Sequence, residues 1–125
     1  MKDPSSPVCR TISTLLSRIG DKWTVLVVQT LSDGPRRFTE LRREIPSVSQ
    51  RMLTLTLRNL ERDGLVSRTV TPSIPPRVDY ELTALGHSLQ KPVNALAQWA
   101  LTHVEDINAA QGRFDAEADA RAEAA

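Results

Sequence analysis

A mainly α fold carrying one small β unit (α+β) is what this chain predicts, on three observations. Several segments repeat apolar residues at helical spacing, one of them stopping at Gly64 where a helix wants a left-handed residue. Two short β-rich segments flank the stiff Pro72-Ser73-Ile74-Pro75-Pro76, which is the pattern of a hairpin. The chain has 125 residues, 40% hydrophobic and 25% charged, enough to bury the core of one domain with an added terminal element.

Residues 1–8 read as a flexible arm punctuated by prolines. Cys9 to Ile19 is the first helix, with Ile12, Leu15, Leu16 and Ile19 on one side and Gly20 ending it. Lys22 to Ser32 is the second. Its apolar Trp23, Leu26, Val27 and Leu31 are widened by Val25 and Val28 until little of it faces solvent, which places it centrally in the core. Asp33-Gly34-Pro35 is a turn, Arg36-Arg37-Phe38 is extended, and Thr39 to Ile45 is a brief third helix stopping before Pro46. Only a few residues separate it from the next helix, running from Ser49 to Gly64. Ser49 caps that helix, or Ser47 with Gln50 in a capping box. Leu65–Thr71 and Arg77–Leu82 are the two strands. Thr83 caps a long last helical region with Leu85, Leu89, Val93, Leu96, Ala97, Ala100, Val104 and Ile107 apolar; Pro92 kinks it or begins a new segment. Residues 111–125, rich in Ala, Asp, Glu and Arg, lack apolar anchors and are expected as an acidic tail, either a frayed helix or disordered.

Three helices in succession followed by a hairpin make a winged helix–turn–helix, and with the extra first and last helices the domain spans residues 9–110. The first and last helices carry more apolar surface than such a domain needs. They are expected to form a dimer interface, the alternative being that the last helix folds back on its own domain.

The helix beginning at Ser49 organises the rest. Leu53, Leu57 and Leu60 form its apolar stripe, while Arg51, Thr54, Leu55, Arg58 and Arg62 occupy the opposite face. A solvated face normally mixes signs, whereas this one has arginines without an acid beside them until its end. An apolar back with an Arg/Thr front suits a recognition helix in a DNA major groove. Net charge is only +1, but it is segregated: residues 34–77 hold nine arginines against four acids, and residues 101–125 hold six acids against Arg113 and Arg121. A cationic working surface with an acidic tail kept off it is the expectation. Arginine also suits bidentate contact to phosphate or guanine.

These segments together carry a resemblance. Ile19-Gly20-Asp21-Lys22-Trp23-Thr24, Asp33-Gly34-Pro35-Arg36-Arg37-Phe38-Thr39-Glu40-Leu41, Ser49-Gln50-Arg51-Met52-Leu53-Thr54, the run from Leu57 to Val66, the run from Pro75 to Thr83, and Leu85-Gly86 resemble the HxlR family of bacterial winged helix–turn–helix transcription regulators, relatives of the MarR group. The resemblance covers most of residues 9–100. It implies a homodimer on double-stranded DNA, reading an inverted repeat with its two recognition helices in successive major grooves. Carried over by position, Ser49, Gln50, Arg51, Thr54 and Arg58 fall at DNA contacts and Arg77 at the base of the wing. Leu55 departs from the family, where that outward position is often polar; it is either a tolerated exposed leucine or a contact to a thymine methyl. Arg36, Arg37, Arg42 and Arg43 would serve nearby phosphates where their faces allow.

Several relatives sense oxidants or electrophiles through a cysteine near the start of the first helix, which brings Cys9 forward as a redox sensor. A thiol at a helix N-terminus favours the reactive thiolate, and an inert, half-buried cysteine is the other reading. His87 and His103 lack a ligand-spaced partner, so neither a metal nor a cofactor is expected. Trp23 and Trp99 read as core and dimer-seam residues; a small-molecule effector would be sought near them, between the first and last helices. No nucleophile elbow, metalloprotease helix or phosphate loop is present, so no enzyme is expected. With neither a membrane-length apolar run nor a secretion signal, the expected place of action is the cytoplasm, on the nucleoid when bound to DNA. A winged-helix module that binds proteins instead of DNA is the alternative, and it would lack the cationic front.

Overall fold

The computed structural model describes residues 3 and 5–124; Met1, Lys2 and Pro4 of the expected arm, and Ala125 of the expected tail, lie outside the described residues. Two compact units divide the chain, Met1–Lys91 and Pro92–Ala125. The first holds α1 (Pro7–Ile19), α2 (Lys22–Leu31), β1 (Arg36–Arg37), α3 (Phe38–Glu44), α4 (Gln50–Arg62), β2 (Val66–Thr71), β3 (Arg77–Leu82) and the start of α5 (Ala84–Ala124), whose remaining length is the second. This is a winged helix–turn–helix, mainly helical with a small antiparallel sheet.

α1 begins at Pro7, earlier than the expected Cys9. The Ser6 hydroxyl accepts from the Cys9 N–H at 3.1 Å, and Pro7 takes the first helical position, where its missing N–H costs nothing. Ahead of it, the Ser5 hydroxyl and N–H donate to Asp3 at 2.7 and 3.0 Å. Those bonds, the hydroxyl's first, hold the Asp3 carboxyl below its ordinary pKa.

α2 packs against α1, α3, α4 and β3 and buries Thr24, Val27, Val28 and Leu31, as its widened apolar face requires. Leu41, Leu53, Leu57 and Leu60 complete the centre, and Trp23, Phe38 and Tyr80 pack on its edge. Not every apolar residue of the helical stripes reaches it. Leu26, Leu15 and Leu16 are exposed, because a small core cannot cover more than one side of α1 or α2.

The sheet has three strands in the order β1-β3-β2, where the sequence predicts only a hairpin. β1 is two residues long, too short to show an alternation, and it pairs with distant β3 as Arg36↔Tyr80 and Arg37↔Asp79. β2 and β3 pair from Val66↔Leu82, at the buried end, out to Thr71↔Arg77 near the tip.

α4 is fixed at both ends. Ser49 caps it, accepting the Met52 N–H at 3.0 Å; Ser47 has φ +79° and does not form the alternative capping box. At the other end Gly64 has φ +78°, the Leu65 N–H donates to Leu60 O at 2.9 Å and the Gly64 N–H to Glu61 O at 3.0 Å, a complete Schellman motif. No atom lies within 4 Å of a Cβ built on Gly64. Gly64→Ala should therefore cost only the left-handed strain, about 1 kcal/mol, read as a shift in urea midpoint, with Gly64→Asn costing less.

The next residues tie the wing and α5 to this helix end. Thr83 N–H donates to Leu65 O at 3.1 Å, the Thr83 hydroxyl donates to Gly64 O at 2.6 Å, and the same hydroxyl oxygen accepts the Gly86 N–H at 3.1 Å. Arg18 of α1 forms an ion pair with Asp63, the C-cap of α4, both side chains largely shielded from solvent.

In the second unit the helix runs on to Ala124, so of the two expectations for the tail, a frayed helix or disorder, residues 111–124 take the helix. Alanine is the best helix former, and Glu117 and Arg121 pair one turn apart at 3.6 Å. The missing apolar anchors deprive this segment of burial, not of helical propensity. Pro92 lies inside α5. The Trp99 ring stacks on His103 with centroids 4.7 Å apart, and Leu96, Trp99, Leu101 and Val104 are exposed. No helix among the described residues is long and apolar enough to cross a membrane.

Candidate nucleic-acid interface

α4 presents two chemically distinct faces. Leu53, Thr56, Leu57 and Leu60 are buried, and the hydrophobic burial of the three leucines, on the order of 2 kcal/mol each, fixes how the helix is rotated. That rotation turns Gln50, Arg51, Thr54, Leu55 and Arg58 outward, where they line one open groove of about 580 Å³. Ser49 stands at the mouth of the helix. Its oxygen accepts the Met52 N–H, which leaves its own O–H able to donate. Thr54 differs: its hydroxyl proton is committed to Gln50 O at 2.8 Å, so it offers outward a lone pair and a methyl. Leu55 is half exposed and sits in the groove beside two arginines, an apolar spot suited to a thymine methyl.

Five of the residues read from the sequence thus converge, and Ser49 adjoins them. The rest are dispersed. Arg62, one turn beyond Arg58, lines a separate cleft with Arg10, Thr14, Leu15 and Arg18 of α1. The Arg36 guanidinium donates to Glu44 at 3.0 Å and to the carbonyls of Gly34 and Pro35 at 3.2 and 3.0 Å, so it braces the α2–α3 connection. Arg37 is exposed beside Asp79 on the sheet's other face, and its backbone N–H donates to Glu40 at 3.0 Å. Arg42 and Arg43 are exposed in the last turn of α3, where cations complement the helix dipole. Arg77, at the wing, pairs with Asp79 at 3.0 Å and keeps about half its side chain exposed.

One residue escaped the sequence reading as a site member. Arg68 on β2 lies directly opposite Tyr80, and the two join Thr54, Arg58 and Glu61 around a second concavity of about 390 Å³. Thr54 and Arg58 line both hollows. The signal was in the sequence: pairing Thr71 with Arg77 across the proline tip and counting back puts Arg68 across from Tyr80. Among the described residues the ion pairs are Arg18–Asp63, Arg36–Glu44, Arg77–Asp79 and Glu117–Arg121, so Arg51, Arg58 and Arg68 carry positive charge with no acid bonded to it.

Cys9, the single cysteine, lies in the first turn of α1 and lines neither hollow. It is buried, 8% exposed, where the sequence reading allowed a half-buried residue.

Comparisons with known proteins agree with this geometry. The family described as HxlR-like helix-turn-helix matches residues 18–108. An HTH-type transcriptional regulator of Methanothermobacter thermautotrophicus is 49% identical over 88 residues, 70% of this chain and 67% of that protein. Among solved structures, transcriptional regulator YtfH from Salmonella typhimurium superposes with TM-score 0.74 at 35% identity, covering 87% of this chain and 94% of that one. The redox regulator HypR in its reduced form superposes with TM-score 0.72 at 39% identity, covering 79% and 98%.

Proposed function

The chain belongs to the HxlR-like helix-turn-helix family of transcriptional regulators, and from that premise we propose that it acts, without catalysis, as a homodimer on an inverted-repeat operator, one α4 in each of two successive major grooves. The observation that carries this reading is the groove lined by Gln50, Arg51, Thr54, Leu55 and Arg58: two arginines without bonded acids, an amide and an apolar spot on a helix locked by its buried leucines. The dimer is supported by apolar surface left exposed on α1, at Val8 and Leu16, and in the second unit, at Leu96 and Trp99.

Selection from a random duplex library at near-physiological salt tests it. Convergence on an inverted repeat with half-sites about one helical turn apart is expected. Weak, steeply salt-dependent binding with no convergence would favour a protein-binding module instead. On the selected operator, Arg51→Ala should cost about 1–3 kcal/mol and relax the preference at one base. An equal loss on operator and random DNA would make Arg51 a phosphate contact.

A second reading adds thiol sensing through Cys9, favoured by its place in the first turn of α1 and by the likeness to the redox regulator HypR. Diamide should then produce an intersubunit disulfide or a thiol adduct and change operator affinity. Unchanged mobility on non-reducing gels, with no adduct by mass spectrometry, would sink it.

A further inference from the structure

We propose that Arg58, Arg68 and Tyr80 form a seat for one backbone phosphodiester of bound DNA, between the recognition helix and the wing; this rests on the DNA-binding reading above. The hollow they line with Thr54 and Glu61, about 390 Å³, shares Thr54 and Arg58 with the groove that faces the bases. A strand whose bases meet Arg51 and Leu55 therefore continues, on the same protein surface, past Arg68.

The two cations reach the hollow from different elements, α4 and β2, which pack directly on one another. Their separation is set by the fold and not by two flexible stems on one helix. Tyr80 on the central strand lies between Arg36 and Arg68, and directly opposed residues of antiparallel strands share a sheet face. Of its two arginine neighbours, Arg36 is consumed by Glu44 and two carbonyls, which leaves Arg68 as the one able to serve a ligand. Thr54 adds no donor, since its proton is held by Gln50 O. The donors are two guanidinium groups and the Tyr80 hydroxyl.

Glu61 is the one acid in the lining. Two cations against one carboxylate leave a single net positive charge, matched to the single negative charge of a phosphodiester. A contact of this kind carries no base information. It adds affinity, salt dependence and register to whatever α4 reads.

The experiment is a salt series of duplex binding by fluorescence anisotropy, on the selected operator and on a random-sequence duplex, with the full-length chain. Arg68→Gln, which keeps a polar side chain on the strand, should weaken both by about tenfold and make the slope of log K against log salt shallower by about one. Arg68→Lys should keep the wild-type slope. The proposal is overturned if Arg68→Gln matches wild type in affinity and slope, or loses affinity for the operator alone. Wild-type protein that binds neither duplex would overturn it together with the DNA-binding reading; wild-type binding with an unaffected variant overturns the phosphate seat only.

Discussion

Replacing Gly86 by alanine is expected to destabilise the domain by about 3 kcal/mol, more than any other glycine substitution in the chain. A Cβ at this position would stand 2.0 Å from the Leu65 carbonyl oxygen and 3.1 Å from both its carbon and Leu82 Cδ2. The first obstacle is backbone, which cannot rotate away as a side-chain tip can. Relief requires moving the first turn of α5 off Leu65, and that stretches the bonds that Thr83 makes to Leu65 O, Gly64 O and the Gly86 N–H. Gly64, by contrast, has the positive φ that usually signals an obligatory glycine, yet open space around it. The predicted order of loss is thus Gly86→Ala well above Gly64→Ala. Urea unfolding with unchanged m-values would measure it, and the reverse order would show that α5 yields easily at this contact.

Leu53→Ala should cost about 2–5 kcal/mol. Leu53 is fully buried in the half of α4 that carries Arg51 and Thr54, so its truncation leaves a void beneath the reading face. Operator affinity should fall with stability, because the side chains that converge on the groove depend on how the leucines seat the helix. Leu55→Ala, two residues on and half exposed, is the control. It should change stability by no more than about 0.5 kcal/mol, while altering the preference at the base its side chain meets. Thermal melts and binding on one set of duplexes separate the two effects. Equal destabilisation by both substitutions would mean that α4 is rotated differently on its core.

What could be read from the sequence was local. Ser49 and Gly64 bound α4 because capping chemistry acts over three or four residues, and the stripe of Leu53, Leu57 and Leu60 gave its rotation. β2 and β3 were legible as the β-rich segments on either side of the prolines. β1 was not: Arg36 and Arg37 become a strand only by pairing with Tyr80 and Asp79, far along the chain. For the same reason Arg68 went unremarked although it adjoins Arg58; Arg36 read as a phosphate contact because its charge, and not the nearby Glu44 and two carbonyls that occupy it, was what the sequence displayed. Composition left the C-terminus open between a frayed helix and disorder, because the residues of 111–124 that cannot build a core are nonetheless good helix formers.

The strand order β1-β3-β2 leaves β2 paired on one side only. Its open edge is a template onto which a second copy could add a strand, and Val66-Ser67-Arg68-Thr69-Val70-Thr71 is otherwise an uncharged, β-branched run of the kind that aggregates. Arg68 is its single charge. Two such edges meeting antiparallel near their middles would bring Arg68 close to its own copy, and Pro72 stops the ladder from lengthening beyond Thr71. The side chain poised beside the recognition helix therefore also guards the protein against sticking to itself.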